Sequence, residues 1–407
     1  MIYDPPHGWA SKKACTKMME IEIKRDIPLQ DANDKFCWFH PRAASIPNAG
    51  KNGNPRVVLT LNQHMDADDH YSGLWYMYTD DMGKTWKGPF DPKELGFSYD
   101  EPGIHASFHD ATPGWHAKTE MLLVIGSKTS YSEDGSHAND KPGRIRTCYA
   151  VYDVKADKWT PVMDLDVPKG GLFDFSVSGS CQWLEERDGT LLVPVYYTIP
   201  SGYPGKGSGV LILECTFDGK KLHYVRHGNE IVRNEEMGYA EPSIIRCQGK
   251  YFLTVRGLCG INGYVGVSSD GMNFEKMVPW TFDDGTPLGS VNTQQHWLAH
   301  QDGLFICYTR SGANNSDIAR SRAPLFIAQV DIDKLCAIRK TEKELIPNRG
   351  LMLGNFGAIP ITSGESWVTD AEYLQFSAGH KPTARGGNGS VWVTRVIWPT
   401  PNELGKR

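Results

Sequence analysis

The sequence predicts an all-β protein, a β-propeller of four-stranded blades. Three observations carry this. Helical periodicity is nearly absent. Short runs rich in Val, Ile, Leu, Tyr and Trp recur between clusters of Gly, Asp, Asn and Pro, the pattern of strands and turns. And these runs fall into groups of the same internal order, repeated six times along the 407 residues.

The second strand of each group is the clearest element. In order these are RVVLTLN (Arg56–Asn62), EMLLVIGS (Glu120–Ser127), TLLVPVYY (Thr190–Tyr197), KYFLTVR (Lys250–Arg256), GLFICYTR (Gly303–Arg310) and ESWVTDAEY (Glu365–Tyr373). Each follows a smaller or more polar strand: FHPRAASIP, FHDATPGW, SGSCQWL, EPSIIRC, QQHWLAH and NFGAIPI. Each precedes a third strand: GLWYMYT, RTCYAVYD, GVLILECT, GYVGVSS, PLFIAQVD and GSVWVTRVI. Groups about 50 to 70 residues apart match the unit of a propeller with four strands per blade.

The sixth group lacks a fourth strand, and MMEIEIK (Met18–Lys24) belongs to no group. This N-terminal strand is therefore expected to close the last blade. With no linker or low-complexity segment between groups, residues 1–407 read as a single propeller domain. TDDMGKTW (Thr79–Trp86) fits the Asp-box pattern S/T-x-D-x-G-x-T-W, and SSDGMNF (Ser268–Phe274) is a relaxed copy. Both follow a third strand. Such a box is a hairpin turn whose Asp accepts backbone N–H bonds and whose Gly takes positive φ. It marks the fold and not the chemistry.

Composition narrows the function. Charged residues are 22%, and the net charge is −5 with mixed signs along the chain. This gives no basic footprint for nucleic acid or a membrane surface. No apolar run reaches the length of a membrane span. The opening residues, MIYDPPHGWASKKAC, carry no apolar stretch of signal-peptide type. Nine Cys are scattered singly, against a disulfide framework. The sequons at Asn314 and Asn388 point weakly to secretion, which would suit action on a polymeric glycan; the compartment stays open. A monomer is expected.

Stacking the six groups places equivalent positions at one mouth of the axis. At the start of the first strand stand His40, His109, Ser178, Glu241, Gln295 and Asn355. At the end of the second stand His64 (or Asn62), Ser127, Tyr197, Arg256, Arg310 and Glu372. Imidazoles, guanidiniums, carboxylates and a phenol are the groups of proton transfer and anion binding. Arg42 follows His40 by two and shares its face, and His105 enters the same mouth from the loop before His109. Either Arg256 or Arg310 could instead be held by a structural carboxylate such as Glu241 or Glu372. The histidines show no HxH or HExxH spacing for a transition metal. No cofactor is required by this reading, and a structural Ca²⁺ in the channel is compatible with it.

The repeated groups and Asp-boxes resemble the sialidase-like propeller superfamily over most of the chain. AEPSIIRCQGKYFLTVR (Ala240–Arg256) is similar to the sialidase segment with a Glu and, some fifteen residues on, an Arg. HPRAASIP (His40–Pro47) is similar to the Arg-containing opening motif. That resemblance implies Arg42, Arg256 and Arg310 as a carboxylate-binding trio, Glu241 activating a tyrosine nucleophile at Tyr373, and Asp66, Asp68 or Asp110 as the acid. A second resemblance rests on WFHPR, HASFHD and the NFG turn with its preceding RAPLFIAQVD strand. These resemble rhamnosidases and rhamnose–glucuronate lyases acting on arabinogalactan- and gum-type glycans, a group described with seven blades where the repeats here count six. It implies an exo-acting lyase that removes terminal rhamnose from glucuronate. His105 would be the main acid/base, with His40, His109 or Tyr197 as partner. Arg42, His64, Glu241, Arg256, Gln295 and Arg310 would bind the anionic, uronate-containing substrate. An exo-glycosidase and a non-catalytic glycan-binding propeller are the alternatives.

Overall fold

The computed structural model describes residues 18–405 apart from 32, 34, 66–68, 139–140, 201–206, 233–237, 261 and 374–382. Two of the candidate acids, Asp66 and Asp68, lie outside the described residues. Six separate antiparallel sheets form a six-bladed propeller. Among the described residues the only helical pieces are short 3-10 turns.

Blade one runs outward through Cys37–Ile46, Arg56–His64, Trp75–Thr79 and Lys87–Phe90. Blade two is built on Ile104–His116, Met121–Ser132 and Ile145–Asp153, with short outer strands and an extra strand, Ser98–Glu101, on its inner side. In blade three the inner strand is broken into Ser176–Val177 and Leu184–Glu185, both paired with Leu191–Thr198; Ser208–Phe217 and Leu222–His227 follow. Blade four is Tyr239–Cys247, Lys250–Gly257, Tyr264–Ser268 and Val278–Pro279. Blade five opens with His296–His300, Gly303–Thr309 and Leu325–Asp331.

Blade six combines Gly357–Pro360, Glu365–Ala371 and Ser390–Ile397 with the N-terminal strand Glu22–Gln30, which pairs antiparallel to Ser390–Ile397. The ring is thus fastened by both ends of the chain, as the unpaired sixth group implies. Arg25 ties this strand to blade five by donating from Nε to the Leu345 carbonyl at 2.6 Å.

The core explains why the strands read as near-continuous apolar runs. It is divided into six large clusters, each between two neighbouring blades, so every blade is buried on both faces. In Arg56–His64, Val57, Leu59 and Leu61 pack toward blade six, while Val58 packs toward blade two. A one-sided sheet would alternate apolar and polar residues; a sheet covered on both sides does not. The Asp-boxes pin the outer turns. Asp81 accepts from the Thr85 backbone N–H at 2.8 Å and the Thr85 hydroxyl at 2.6 Å. Gly83 holds φ 83° beneath Trp367 of blade six. Asp270 does the same through Met272 N and Asn273 N, and Phe274 packs below.

Candidate active site

The inner strands position the site by breaking their own register. Pairing slips between Phe39 and Arg42 in blade one, His109 and Thr112 in blade two, and Ala240 and Ser243 in blade four. The residue inside each slip takes a left-handed backbone: His40 at φ 51°, Asp110 at 54° and Glu241 at 47°. Ser180, in the break of the third inner strand, sits at 54°. A non-glycine residue held there costs about 1–3 kcal/mol and such residues collect at functional sites. A bulge also re-aims its side chain. Four successive blades thus turn His40, Asp110, Ser180 and Glu241 toward a shared polar centre.

Asp110 is the hub. Its Oδ1 lies 2.6 Å from His40 Nε2 and accepts the Ser180 hydroxyl at 2.7 Å; its Oδ2 lies 3.2 Å from His109 Nδ1. His109 Nε2 meets Thr129 Oγ1 at 2.9 Å. Burial would raise the Asp110 pKa, but the two imidazoles outweigh it and hold the carboxylate well below its ordinary range. Burial lowers His40 to about 4 despite the opposing pull of Asp110. His40 is therefore an uncharged imidazole whose Nε2–H donates to an ionised Asp110.

Arg42, 1% exposed, donates to Ser180 Oγ at 2.9 Å and stands 3.9 Å from Asp110. Asp110, Glu241 and Asp370 all act electrostatically on it. Glu241 in turn pairs with Arg256 at 2.5 Å, and Arg256 Nε donates to Asn292 Oδ1 at 2.6 Å. Arg322, on the loop entering Leu325–Asp331, reaches the Asn292 carbonyl at 3.4 Å. Burial, together with the Arg256 and Arg320 charges, lowers its pKa to about 10. Asp370 accepts from the Gly354 backbone N–H at 2.7 Å, yet burial raises it to about 7. Among the described residues, Arg42 Nε and Nη1, Arg322 Nε, Asn355 Nδ2 and His40 Nδ1 are buried without a hydrogen-bond partner. Buried polar atoms are normally satisfied, and most of these are donors.

A second group flanks the hub. Tyr71 packs against His109 at 4.7 Å and donates its hydroxyl to Asp69 at 2.6 Å. Tyr131 donates to the Asp69 carbonyl at 3.0 Å. His105 is half-buried, and its Nε2 lies 3.1 Å from His70 Nε2, so one ring donates and the other accepts. Burial lowers the His105 pKa.

The residues singled out from sequence divide accordingly. His40, Arg42, His109, Glu241 and Arg256 lie in the network around Asp110 and Glu241, and His105 stands at its flank. His64 sits behind it, with Nε2 3.2 Å from the Tyr373 hydroxyl. Four positions depart from expectation. Tyr197 packs in the core between blades two and three and donates to Glu230 at 2.6 Å. Its neighbour Tyr196 points the other way, against the core between blades three and four, where burial and then Glu241 and Asp110 raise its pKa. Gln295 turns between blades four and five and accepts from Thr254 at 3.2 Å, while Gln294 meets Arg42. Arg310 turns to the outer edge of its blade and makes two hydrogen bonds, of 2.8 and 2.7 Å, to Glu342. Glu372 likewise pairs with Arg349, at 3.1 Å. Ser178 donates to the Pro194 carbonyl at 2.8 Å, and the Asn62 amide clamps three carbonyls. Sequence reasoning missed Asp69, Tyr71, Asn292 and Arg322, most of which lie on loops with no periodicity to mark them. Among the described residues no group of three or more His, Cys, Asp or Glu is placed to hold a metal.

The architecture is a six-bladed β-propeller, and its likeness to solved structures is one of fold. A crystal structure of a protein of unknown function from Dyadobacter fermentans superimposes with TM-score 0.62 at 15% identity, over 92% of this chain and 99% of that one. The Hadza microbial sialidase Hz136 matches with TM-score 0.62 at 12% identity, over 89% of this chain. Trypanosoma rangeli sialidase matches with TM-score 0.59 at 13% identity, over 92% of this chain. The chain spans 66% of the length of Hz136 and 59% of the T. rangeli enzyme. At such identities the likeness is one of fold. No protein-family model and no curated protein matches the sequence.

Proposed function

We propose that this propeller is a carbohydrate-active enzyme acting on a carboxylate-bearing sugar, and that its reaction is a β-elimination. The observation that carries this is the surplus of buried, unpartnered donors on Arg42, Arg322 and Asn355 beside the uncharged His40 imidazole. A guanidinium offers a planar fork to a carboxylate. Neutralising a uronate carboxylate acidifies its C5 proton and stabilises the enolate-like intermediate.

The substrate is a terminal rhamnose on O4 of glucuronate, in arabinogalactan- or gum-type glycans. Arg322 and Arg42, with the Asn355 amide, face the carboxylate. His105, uncharged and paired with His70, takes the C5 proton. The C5–H electron pair becomes the C4–C5 double bond, the C4–O4 bond breaks, and O4, on the same ring face as H5, leaves with the proton that His105 has taken. The Asp110–His40 pair holds the second imidazole in a fixed tautomer with Nδ1 free. Each proton-transfer group contributes about 10²–10⁴-fold.

The test is incubation with a rhamnose-capped arabinogalactan, following free rhamnose and the ultraviolet absorbance of a 4,5-unsaturated uronate. Both are expected to rise together. Rhamnose without absorbance excludes elimination. If neither product forms on any uronate glycan, the reading fails.

A sialidase-type hydrolysis is the second reading, favoured by the sialidase neighbours of the fold. It needs a tyrosine working with Glu241. Here the Glu241 carboxylate is taken by Arg256 and the Tyr373 hydroxyl rests at His64. Loss of sialoside turnover in Tyr373→Phe would favour it over elimination. If His105→Ala changes glycan affinity and no turnover on any glycan exists to be lost, the protein is a binding module.

A further inference from the structure

Among the described residues, blade two extends its inner strand pair furthest past the bulge. Its first two long strands stay paired well beyond the bulge at His109, from Ser107 opposite Thr129 to Ile104 opposite Ser132. Ser98–Glu101 lines one edge of this extension, Ser98 pairing with Ala106 and Glu101 with Ile104. His137 bridges to Tyr131 on the other side. The result is a wall beside the polar centre.

The wall is aromatic. Phe97 meets the His105 ring edge-on at 4.9 Å, His105 stacks on Tyr131 at 5.6 Å, and Tyr131 lies 4.8 Å from His70. It is joined to the hub through Tyr131, Asp69 and Tyr71, whose ring packs on His109. Two of its large rings face solvent: Phe97 is 37% and Tyr99 is 77% exposed. Two residues apart on extended backbone, they project to one side. Glu101, at the end of this strand, is paired with Arg144 at 2.8 Å.

We propose that this wall is a subsite for neutral sugar residues of the glycan chain, next to the carboxylate-binding centre, with Tyr99 and Phe97 as its stacking platform. A pyranose ring has an apolar C–H face and a polar rim. An exposed aromatic beside histidine donors matches both, and amphipathic rings recognise half-polar partners at little entropic cost. The inference rests on the carbohydrate reading above and adds to it the recognition of the chain beyond the cleaved bond.

The test uses the full-length protein and its Tyr99→Ala and Tyr99→Phe variants. Native-gel retardation in arabinogalactan reads binding to the polymer, and initial rates on a rhamnosyl-glucuronate disaccharide read the chemistry. Tyr99→Ala is expected to bind the polymer about five- to tenfold more weakly, a loss near one decade of affinity. It should leave disaccharide kcat/KM unchanged, and Tyr99→Phe should restore retardation. Unchanged retardation in Tyr99→Ala, or an equal loss on polymer and disaccharide, overturns the subsite. If wild type turns over no uronate glycan while retardation still depends on Tyr99, the subsite stands and the elimination reading falls.

Discussion

Asp110→Asn isolates the charge of the hub from its shape. The amide is nearly isosteric, and its oxygen can still accept from His40 Nε2 and the Ser180 hydroxyl, now at 2.6 and 2.7 Å. What disappears is the negative charge beside Arg42, which is 1% exposed and has Asp110 as its leading compensating carboxylate. Removing one partner of a buried pair costs about 3–5 kcal/mol. Glu241 also acts on Arg42, so the lower end, about 3 kcal/mol, is expected. The amide also presents N–H instead of oxygen to His109 Nδ1, which forces that ring into the tautomer donating to Thr129. If the hub serves proton transfer, turnover should fall by about 10²–10⁴-fold. Urea unfolding reads the first quantity and initial rates read the second. Ser180→Ala, which removes one hydroxyl and no charge, is the control and should cost about 1 kcal/mol. An Asp110→Asn protein within about 0.5 kcal/mol of wild type, with full turnover, would refute both the buried-charge argument and the role given to the hub.

Other variants separate neighbouring residues. Tyr197→Phe should cost about 1 kcal/mol by losing its bond to Glu230 and leave kcat alone; a lowered kcat would place a phenol of the site at Tyr197. Arg322→Ala should raise KM for a uronate substrate, while Arg310→Ala should spare KM, its guanidinium being held by Glu342; steady-state kinetics on both distinguish them. The pH dependence of stability contains two opposing groups. The folded pKa of His40 is depressed to about 4, so its contribution is present above about 6.5 and lost as pH falls toward 4. Asp370 is raised to about 7, so its contribution is present at acid pH and lost as pH rises from about 4 to 7. Asp370→Asn removes the second effect. Its urea stability should fall more steeply than wild type between pH 7 and 4, by about 4 kcal/mol at 1.36 kcal/mol per unit. Parallel pH profiles would show that Asp370 is not held protonated.

The fold was legible in the sequence because a propeller repeats itself. Six copies of one strand order, two Asp-boxes and an unpartnered N-terminal strand each had a structural counterpart. Face and register were harder to read, and for a physical reason. A strand covered on both sides by neighbouring blades is apolar at odd and even positions alike, so alternation does not tell which neighbour faces the axis. Tyr196 and Tyr197 are both aromatic, and Gln294 and Gln295 are identical in type; each pair differs only in parity. The bulges then move parity by one. His40 and Glu241 are each followed by proline, which cannot donate to a sheet ladder and so sits at a break in it. Asp110 and Ser180 take the same backbone turn before Ala111 and Cys181, which carry no such mark. Sequence alignment therefore sets His40 beside His109, whereas the structure sets it beside Asp110. This one-residue displacement changes the chemistry of the centre. An array of independent histidines becomes a single carboxylate shared by two imidazoles, a hydroxyl and a buried guanidinium, and the state of each of those groups depends on the charge of Asp110.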